Sequence, residues 1–137
     1  MKVHLGNSSQ ILSQILPDLS SSRILFYLDA HWLSYWPLID ELEAISNTHR
    51  DDCIIVIDDV KVPERPEIPY DVYHETEECS YEYVKDALLK VYSSHVHFYA
   101  IPKSPTSRAK LVVLPADWMI EKCAELLHAV NPSRKPT

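Results

Sequence analysis

Acidic side chains follow two apolar runs of the sequence. Asp29 comes directly after residues 24–28. Asp58 and Asp59 come directly after residues 53–57. Both runs are rich in strand-forming residues, and ligands bind at the carboxyl ends of parallel strands, so we expect the three acids at one edge of a sheet. Close carboxylates are relieved by a hard cation or by raised pKa values, which indicates a Mg²⁺ site, with capping of turns as the alternative.

His31 lies two residues beyond Asp29. An imidazole, with an ordinary pKa near ~6.5, suits proton transfer at neutral pH, so His31 together with Asp29 is a candidate for catalysis. A surface or hydrogen-bonded structural role for His31 is the alternative. Trp32, Tyr35 and Trp36 follow and could wall a pocket or pack on a helix N-terminus. Further rings could line the same cleft or pack as ordinary half-buried side chains: Tyr70, Tyr73, His74, Tyr81 and Tyr83.

Composition limits the classes of function. The chain has 137 residues, 46% of them hydrophobic, which is typical of a single globular domain with a packed core. Its 20 acidic residues outnumber 13 basic ones, and the net charge of −7 argues against nucleic acid and membrane partners. The only glycine is Gly6, so the chain lacks glycine-rich phosphate loops of the Walker or GxGxxG type.

The cysteines indicate a reducing compartment. Cys53, Cys79 and Cys123 are odd in number and form no CxxC pair, which speaks against a disulfide framework or a zinc site. The first residues are polar where a signal peptide would be apolar, and no apolar run approaches the length of a membrane span. We expect a soluble, unprocessed cytoplasmic protein.

The elements that position the candidate residues follow from periodicity. We expect a short strand at residues 2–5, a helix from about Ser9 that Pro17 stops or bends, and a helix after Pro37 with an apolar stripe. The acids of this last helix are expected to face water: Asp40, Glu41 and Glu43. Because this helix connects the strands at 24–28 and 53–57, the strands are expected to be parallel.

The second half of the chain predicts a proline-rich irregular loop at residues 60–73, then a helix capped by Ser80. Strands at residues 96–101 and 109–114 are close enough in sequence to form an antiparallel hairpin. A last helix begins near Asp117, with four residues facing inward: Ile120, Cys123, Ala124 and Leu127. The predicted architecture is a single α/β domain over residues 1–130, with a flexible tail at 131–137.

Four strings carry a family resemblance. They are Gly-Asn-Ser-Ser at residues 6–9, Phe-Tyr-Leu-Asp-Ala-His-Trp at 26–32, Trp-Pro-Leu-Ile-Asp-Glu-Leu at 36–42 and Ile-Val-Ile-Asp-Asp at 55–59. With them, residues 3–116 resemble class I S-adenosylmethionine-dependent methyltransferases, near the macrocin O-methyltransferases that act on sugar hydroxyls. The resemblance implies a three-layer, Rossmann-like fold whose mostly parallel sheet ends in an antiparallel hairpin.

The resemblance also implies roles for individual residues. Asn7 and Ser8 match positions that contact the adenine ring of S-adenosylmethionine. Asp29, Asp58 and Asp59 match positions that hold Mg²⁺ against the acceptor hydroxyl, and His31 matches a base or acceptor contact. The family's first strand, with its glycine-rich turn, and its second strand, which ends in an acid for the ribose, have no counterpart in this sequence.

These departures predict a truncated methyltransferase-like domain that cannot transfer methyl groups alone and that binds a small polar ligand or a partner at the strand ends. If active, it would be an S-adenosylmethionine-dependent O-methyltransferase. The missing strands leave an exposed edge at residues 24–28, so we expect a homodimer. One alternative is a Mg²⁺-dependent hydrolase that uses Asp29 and Asp58. The other is a protein-interaction module.

Overall fold

A computed structural model of the protein describes residues 1–31, 34–104 and 106–119. Within them the chain forms a mixed α/β structure. The helices are α1 (Ser8–Ile15), α2 (Leu38–Ser46) and α3 (Tyr81–Val91), and a 3₁₀ helix at Leu16–Leu19 follows α1. The strands are β1 (Ile24–Leu28), β2 (Cys53–Val60), β3 (Val72–Tyr73), β4 (Glu77–Glu78), β5 (His95–Ala100) and β6 (Ala109–Pro115).

The main sheet has four strands in the order β1-β2-β6-β5, and β3 and β4 form a separate small ribbon. β1 pairs with β2 in parallel, whereas β6 is antiparallel to both β2 and β5. The α/β class and the final hairpin are therefore confirmed. The prediction of a mostly parallel sheet is wrong, because two of the three strand pairs in the main sheet are antiparallel. The short connection after β5 forces an antiparallel return, and the returning strand inserts beside β2.

The described helices cover one face of the sheet. Alternate residues of β1, such as Phe26 and Leu28, join a single core with side chains of α2 and α3. Leu25, Tyr27 and Phe98 on the opposite face are 59%, 50% and 49% exposed. Strands covered on both faces, and a third layer, are therefore not found in these parts of the chain. The final helix expected from Asp117 begins within the described residues, since residues 116–119 are helical. Its expected inward residues and the tail lie beyond residue 119, outside the described residues.

β2 is the centre of the core. Its inward side chains Cys53, Ile55 and Ile57 are almost completely buried, and Tyr92 is buried beside them. The Tyr92 hydroxyl donates to the carbonyl oxygens of Cys53 at 3.2 Å and Val113 at 3.3 Å. Because a buried hydroxyl without a partner would be costly, this placement ties the end of α3 to both β2 and β6.

The N-terminal segment differs from its prediction. Residues 1–5 form no strand, and Val3 and Leu5 are exposed. Residues 1–5 pair with no strand of the described sheets, and Asn7 caps α1 by accepting from the backbone nitrogen of Ser9 at 3.0 Å. Pro17 ends the regular helix and lies in the 3₁₀ turn, as expected.

A buried histidine fixes the turn that leads into β1. The ring nitrogen Nε2 of His49 lies 3.1 Å from the carbonyl oxygens of both Leu19 and Ser22. Carbonyl oxygens only accept, so Nε2 carries the proton and donates to them. The Thr48 hydroxyl lies 2.8 Å from Nδ1 and donates to it. His49 therefore links the end of α2 to the turn before β1.

No helix in the described ranges combines the length and the apolar content needed to cross a membrane.

Replacing His49 with Ala should lower the free energy of unfolding by about 2 kcal/mol, because two carbonyl groups lose their donor in a buried site. Urea unfolding followed by circular dichroism measures the change. Arg50→Ala is the matched control, since Arg50 is the exposed neighbour and its loss should cost within about 0.5 kcal/mol. Equal effects of the two substitutions would contradict this role of His49.

Candidate functional site

The parallel pairing of β1 and β2 creates a small pocket at their carboxyl ends. Leu28 lies opposite Ile57, so the residues that follow both strands reach the same edge of the sheet. The pocket has a volume of about 20 Å³, which is room for a group of roughly the size of one water molecule. Its walls include six residues of chemical interest: Asp29, His31, Trp36, Glu41, Asp58 and Asp59. The structure therefore brings the predicted acids and histidine together.

Asp58 is held by partners from two neighbouring strands. Tyr27 donates its hydroxyl hydrogen to this carboxylate, and the Lys110 ammonium donates at 2.9 Å. Burial alone would raise the pKa of Asp58, but the hydrogen bonds from Tyr27 and Lys110 outweigh that effect and hold the pKa below its usual value. Asp58 is therefore an ionised carboxylate whose charge is already balanced.

Asp59 has a different cation. Its backbone has a φ of 58°, in the left-handed region that Asp tolerates. Arg108, just before β6, donates to Asp59 at 2.9 Å and also to Asp71. Burial raises the pKa of Asp59, and the nearby charges of Asp58 and Asp71 work in the same direction against Arg108. One arginine thus serves two carboxylates.

Sequence reasoning missed both balancing cations. Lys61 and Arg65 are the basic residues nearest to Asp58 along the chain. Lys61 instead pairs with Glu78 at 2.7 Å, and Arg65 pairs with Glu67. Lys110 and Arg108 are about 50 residues away in sequence and arrive only because β6 inserts beside β2. A polar residue at position 110 within an otherwise apolar strand is a sequence signal for Lys110, whereas Arg108 precedes the strand and has no such signal.

The acids do not fit a magnesium ion in this arrangement. Mg²⁺ requires free oxygen ligands at about 2.1 Å in octahedral geometry. The carboxylates of Asp58 and Asp59 are already bound by Lys110 and Arg108. Within the described ranges, no group of three or more His, Cys, Asp or Glu side chains is placed to hold a metal ion. The predicted Mg²⁺ site would therefore require both cationic side chains to move away.

Glu41 is the unexpected member of the site. The sequence pattern placed it on the water-facing side of α2, but the structure buries it, with 2% of its surface exposed. One oxygen, Oε2, is buried and has no hydrogen-bond partner among the described residues. Burial raises the pKa of Glu41, and the neighbouring Ser8 hydroxyl offsets only part of that rise. This carboxyl group therefore faces the pocket without a charge partner.

Stacked rings form one wall beside the acids. Trp36 lies between Tyr73 and Tyr83, with ring centroids 4.9 and 4.6 Å apart. The His31 ring meets the edge of Tyr73 at 6.3 Å, so it lies at the mouth of the pocket. Of the other predicted wall residues, Tyr35 donates to Asp40 beside a separate groove between α1 and α2.

The remaining predicted rings lie elsewhere or outside the described residues. Tyr70 donates to Glu78, and Tyr81 contacts His95 at 3.1 Å. His74 lies in the turn between β3 and β4, where its ring contacts the ring of Tyr73 in a T-shaped arrangement. Trp32 is not among the described residues.

The predicted cofactor contacts lie at the start of α1. The side-chain oxygen of Asn7 accepts from the backbone nitrogen and the hydroxyl of Ser9, so it is already engaged as a helix cap. The hydroxyl oxygen of Ser8 is buried and, like Glu41, has no hydrogen-bond partner among the described residues. Asn7 and Ser8 thus have different environments. Neither lines the acidic pocket, although the Ser8 hydroxyl lies next to the Glu41 carboxyl group.

Cys53 and Cys79 are buried and form no disulfide, as the sequence predicts. Burial raises the pKa of Cys79, which also lines the pocket, to about 12, so its thiol is protonated and unreactive at neutral pH. Cys123 lies outside the described residues.

Comparison with known proteins gives no match to any family model, to the curated proteins or to the solved structures. The site must therefore be interpreted from its own geometry.

Replacing Glu41 with Gln should raise the free energy of unfolding at pH 7 by about 1 kcal/mol, because the buried unpaired charge is removed. When burial raises the pKa of a carboxyl group, the folded protein loses stability as the pH rises above the pKa that the group has in the unfolded chain. The gain should therefore disappear below about pH 4, where Glu41 is protonated in both states.

Urea unfolding at the two pH values measures this difference. Glu43→Gln is the matched control, since Glu43 is exposed on the same helix and its replacement should leave stability unchanged at both. A loss of stability in Glu41→Gln at pH 7 would show that the carboxylate is paired.

Proposed function

We propose that this chain is a methyltransferase-like binding domain that holds a small polar ligand at the carboxyl ends of β1 and β2 and does not transfer methyl groups alone. The supporting observation is the Glu41 carboxyl group, which lines the pocket and whose Oε2 atom is buried without a hydrogen-bond partner among the described residues. A buried unpaired carboxylate destabilises the fold, and groups of this kind concentrate at functional sites. A ligand that satisfies Glu41 would remove this penalty.

Methyl transfer by this chain alone is disfavoured by its single glycine. Gly6 has a φ of 143° and precedes α1, where its neighbour is the Ile11 side chain. The family's grip on the methionine end of the cofactor depends on several glycines, and each lost hydrogen bond to a charged group costs about 1–3 kcal/mol. Binding of S-adenosylmethionine is therefore expected to be weak, and the ligand to use the acidic pocket instead.

A hydrolase that depends on Mg²⁺ receives less support. Its metal ligands would be Asp29 and Asp58, but Asp58 is already neutralised by Lys110. Asp29 is exposed at the mouth of the pocket, where, together with His31, it can contact the part of a ligand that extends into solvent.

Calorimetric titration of the whole chain should show no micromolar binding of S-adenosylmethionine and no binding of Mg²⁺ at comparable concentrations. A ligand that does bind should shift NMR resonances of Ala30, Glu41 and Asp59, because these residues surround the pocket. Micromolar binding of S-adenosylmethionine would contradict the proposal, and so would a bound ligand that leaves these resonances unchanged.

The edge of the sheet supports a second part of the proposal, a homodimer. Among the described strands, β1 pairs only with β2, so its other side offers unpaired backbone groups. Long apolar edge strands favour pairing with another chain, and Leu25 and Tyr27 on β1 are half exposed.

Leu25→Lys should convert the dimer to a monomer, because a charged residue on an edge strand opposes edge pairing. Analytical ultracentrifugation measures the mass. Leu89→Lys on α3 is the matched control, since Leu89 is 56% exposed and Leu25 59%, but it lies far from β1 in the sequence and on a helix. A wild-type monomer at high concentration would rule out this interface.

A further inference from the structure

The proposed pocket can be assigned a class of ligand, and this step rests on the proposed function. We propose that the ligand carries a primary ammonium group and that this group enters the pocket at the carboxyl ends of β1 and β2, against Glu41.

The charge around the pocket favours a cation. No Lys or Arg residue lines the pocket, whereas five acidic residues do: Asp29, Glu41, Asp58, Asp59 and Asp71. Lys110 balances Asp58, and Arg108 is shared by Asp59 and Asp71. Glu41 and Asp29 have no such cation among the described residues. An anion would be repelled here, whereas a single positive charge would be attracted.

The unpaired atom in the pocket also favours a donor. Oε2 of Glu41, a residue that lines the pocket, is buried without a hydrogen-bond partner among the described residues. An ionised carboxylate only accepts. A primary ammonium group has three N–H donors and no acceptor, so it complements this oxygen. Hydrogen bonds between a cation and a carboxylate are also about twice as strong as neutral ones.

The size of the pocket also limits the ligand. A volume of about 20 Å³ is close to that of one small group such as –NH₃⁺, whereas a trimethylammonium group has three additional carbon atoms. Quaternary ammonium ions are usually recognised on the open faces of aromatic rings. Here Trp36 is covered on both sides by Tyr73 and Tyr83. The site therefore favours a primary ammonium group over a quaternary one.

The test is an NMR titration of the full chain at neutral pH with four probes: methylammonium, tetramethylammonium, methanol and acetate, each at matched ionic strength. Only methylammonium should produce saturable shifts at Ala30, Glu41 and Asp59. Glu41→Gln should weaken its binding about tenfold or more, because a charge-assisted hydrogen bond is lost. Glu43→Gln should bind as tightly as the wild type, since this exposed acid lies on the same helix but outside the pocket.

The outcomes separate this inference from the proposed function. Saturable shifts at the pocket with methanol or acetate, and none with methylammonium, would overturn the ammonium class while leaving a binding pocket in place. Equal methylammonium binding to the wild type and to Glu41→Gln would show that the binding comes from general surface charge, and this result would also overturn the inference. Unchanged resonances of the pocket residues with all four probes would overturn the ammonium class. The proposed function has a separate test, the titration with S-adenosylmethionine, in which micromolar binding would contradict it.

Discussion

The parallel pairing of β1 with β2 is the constraint on which the rest of the site depends. It aligns Leu28 with Ile57, so both chains leave the sheet at the same edge. The connection between two parallel strands must cross the sheet, and α2 makes that crossing above the core. The N-terminal turn of α2 therefore lies over the strand ends. Glu41 is carried into the pocket by this geometry.

The final hairpin then determines which acids remain unpaired. β6 inserts antiparallel to β2, and this register brings Lys110 to Asp58 and Arg108 to Asp59. These pairs are partly exposed, so each contributes at most about 1 kcal/mol to stability, but they neutralise the outer part of an acidic edge. Glu41 lies deeper and receives no cation from the described residues. The site thus contains acids whose charge is balanced by Lys110 and Arg108, and one acid, Glu41, that is available for a ligand.

Local patterns in the sequence predicted much of the fold but not the charge pairing. The apolar runs at β1 and β2 and the helical stripe of α2 are local signals, and the structure confirms them, as it does the hairpin of β5 and β6. The prediction of a strand at residues 2–5 was wrong, because a short alternation of apolar residues does not show whether a partner strand is available. The burial of Glu41 was missed because helical periodicity ranks it with Asp40 and Glu43, although contacts from α1 cover it. Lys110 was missed because antiparallel insertion is a long-range property.

The most direct test is the pKa of Glu41, measured by carboxyl NMR in the free protein and again in the presence of methylammonium. We expect a value above the usual range in the free protein, because the carboxyl group is buried and its Oε2 atom has no hydrogen-bond partner among the described residues. Methylammonium should lower it, since a cation in the pocket stabilises the ionised form. An ordinary pKa that methylammonium leaves unchanged would contradict the central claim that an unpaired buried acid forms a binding site.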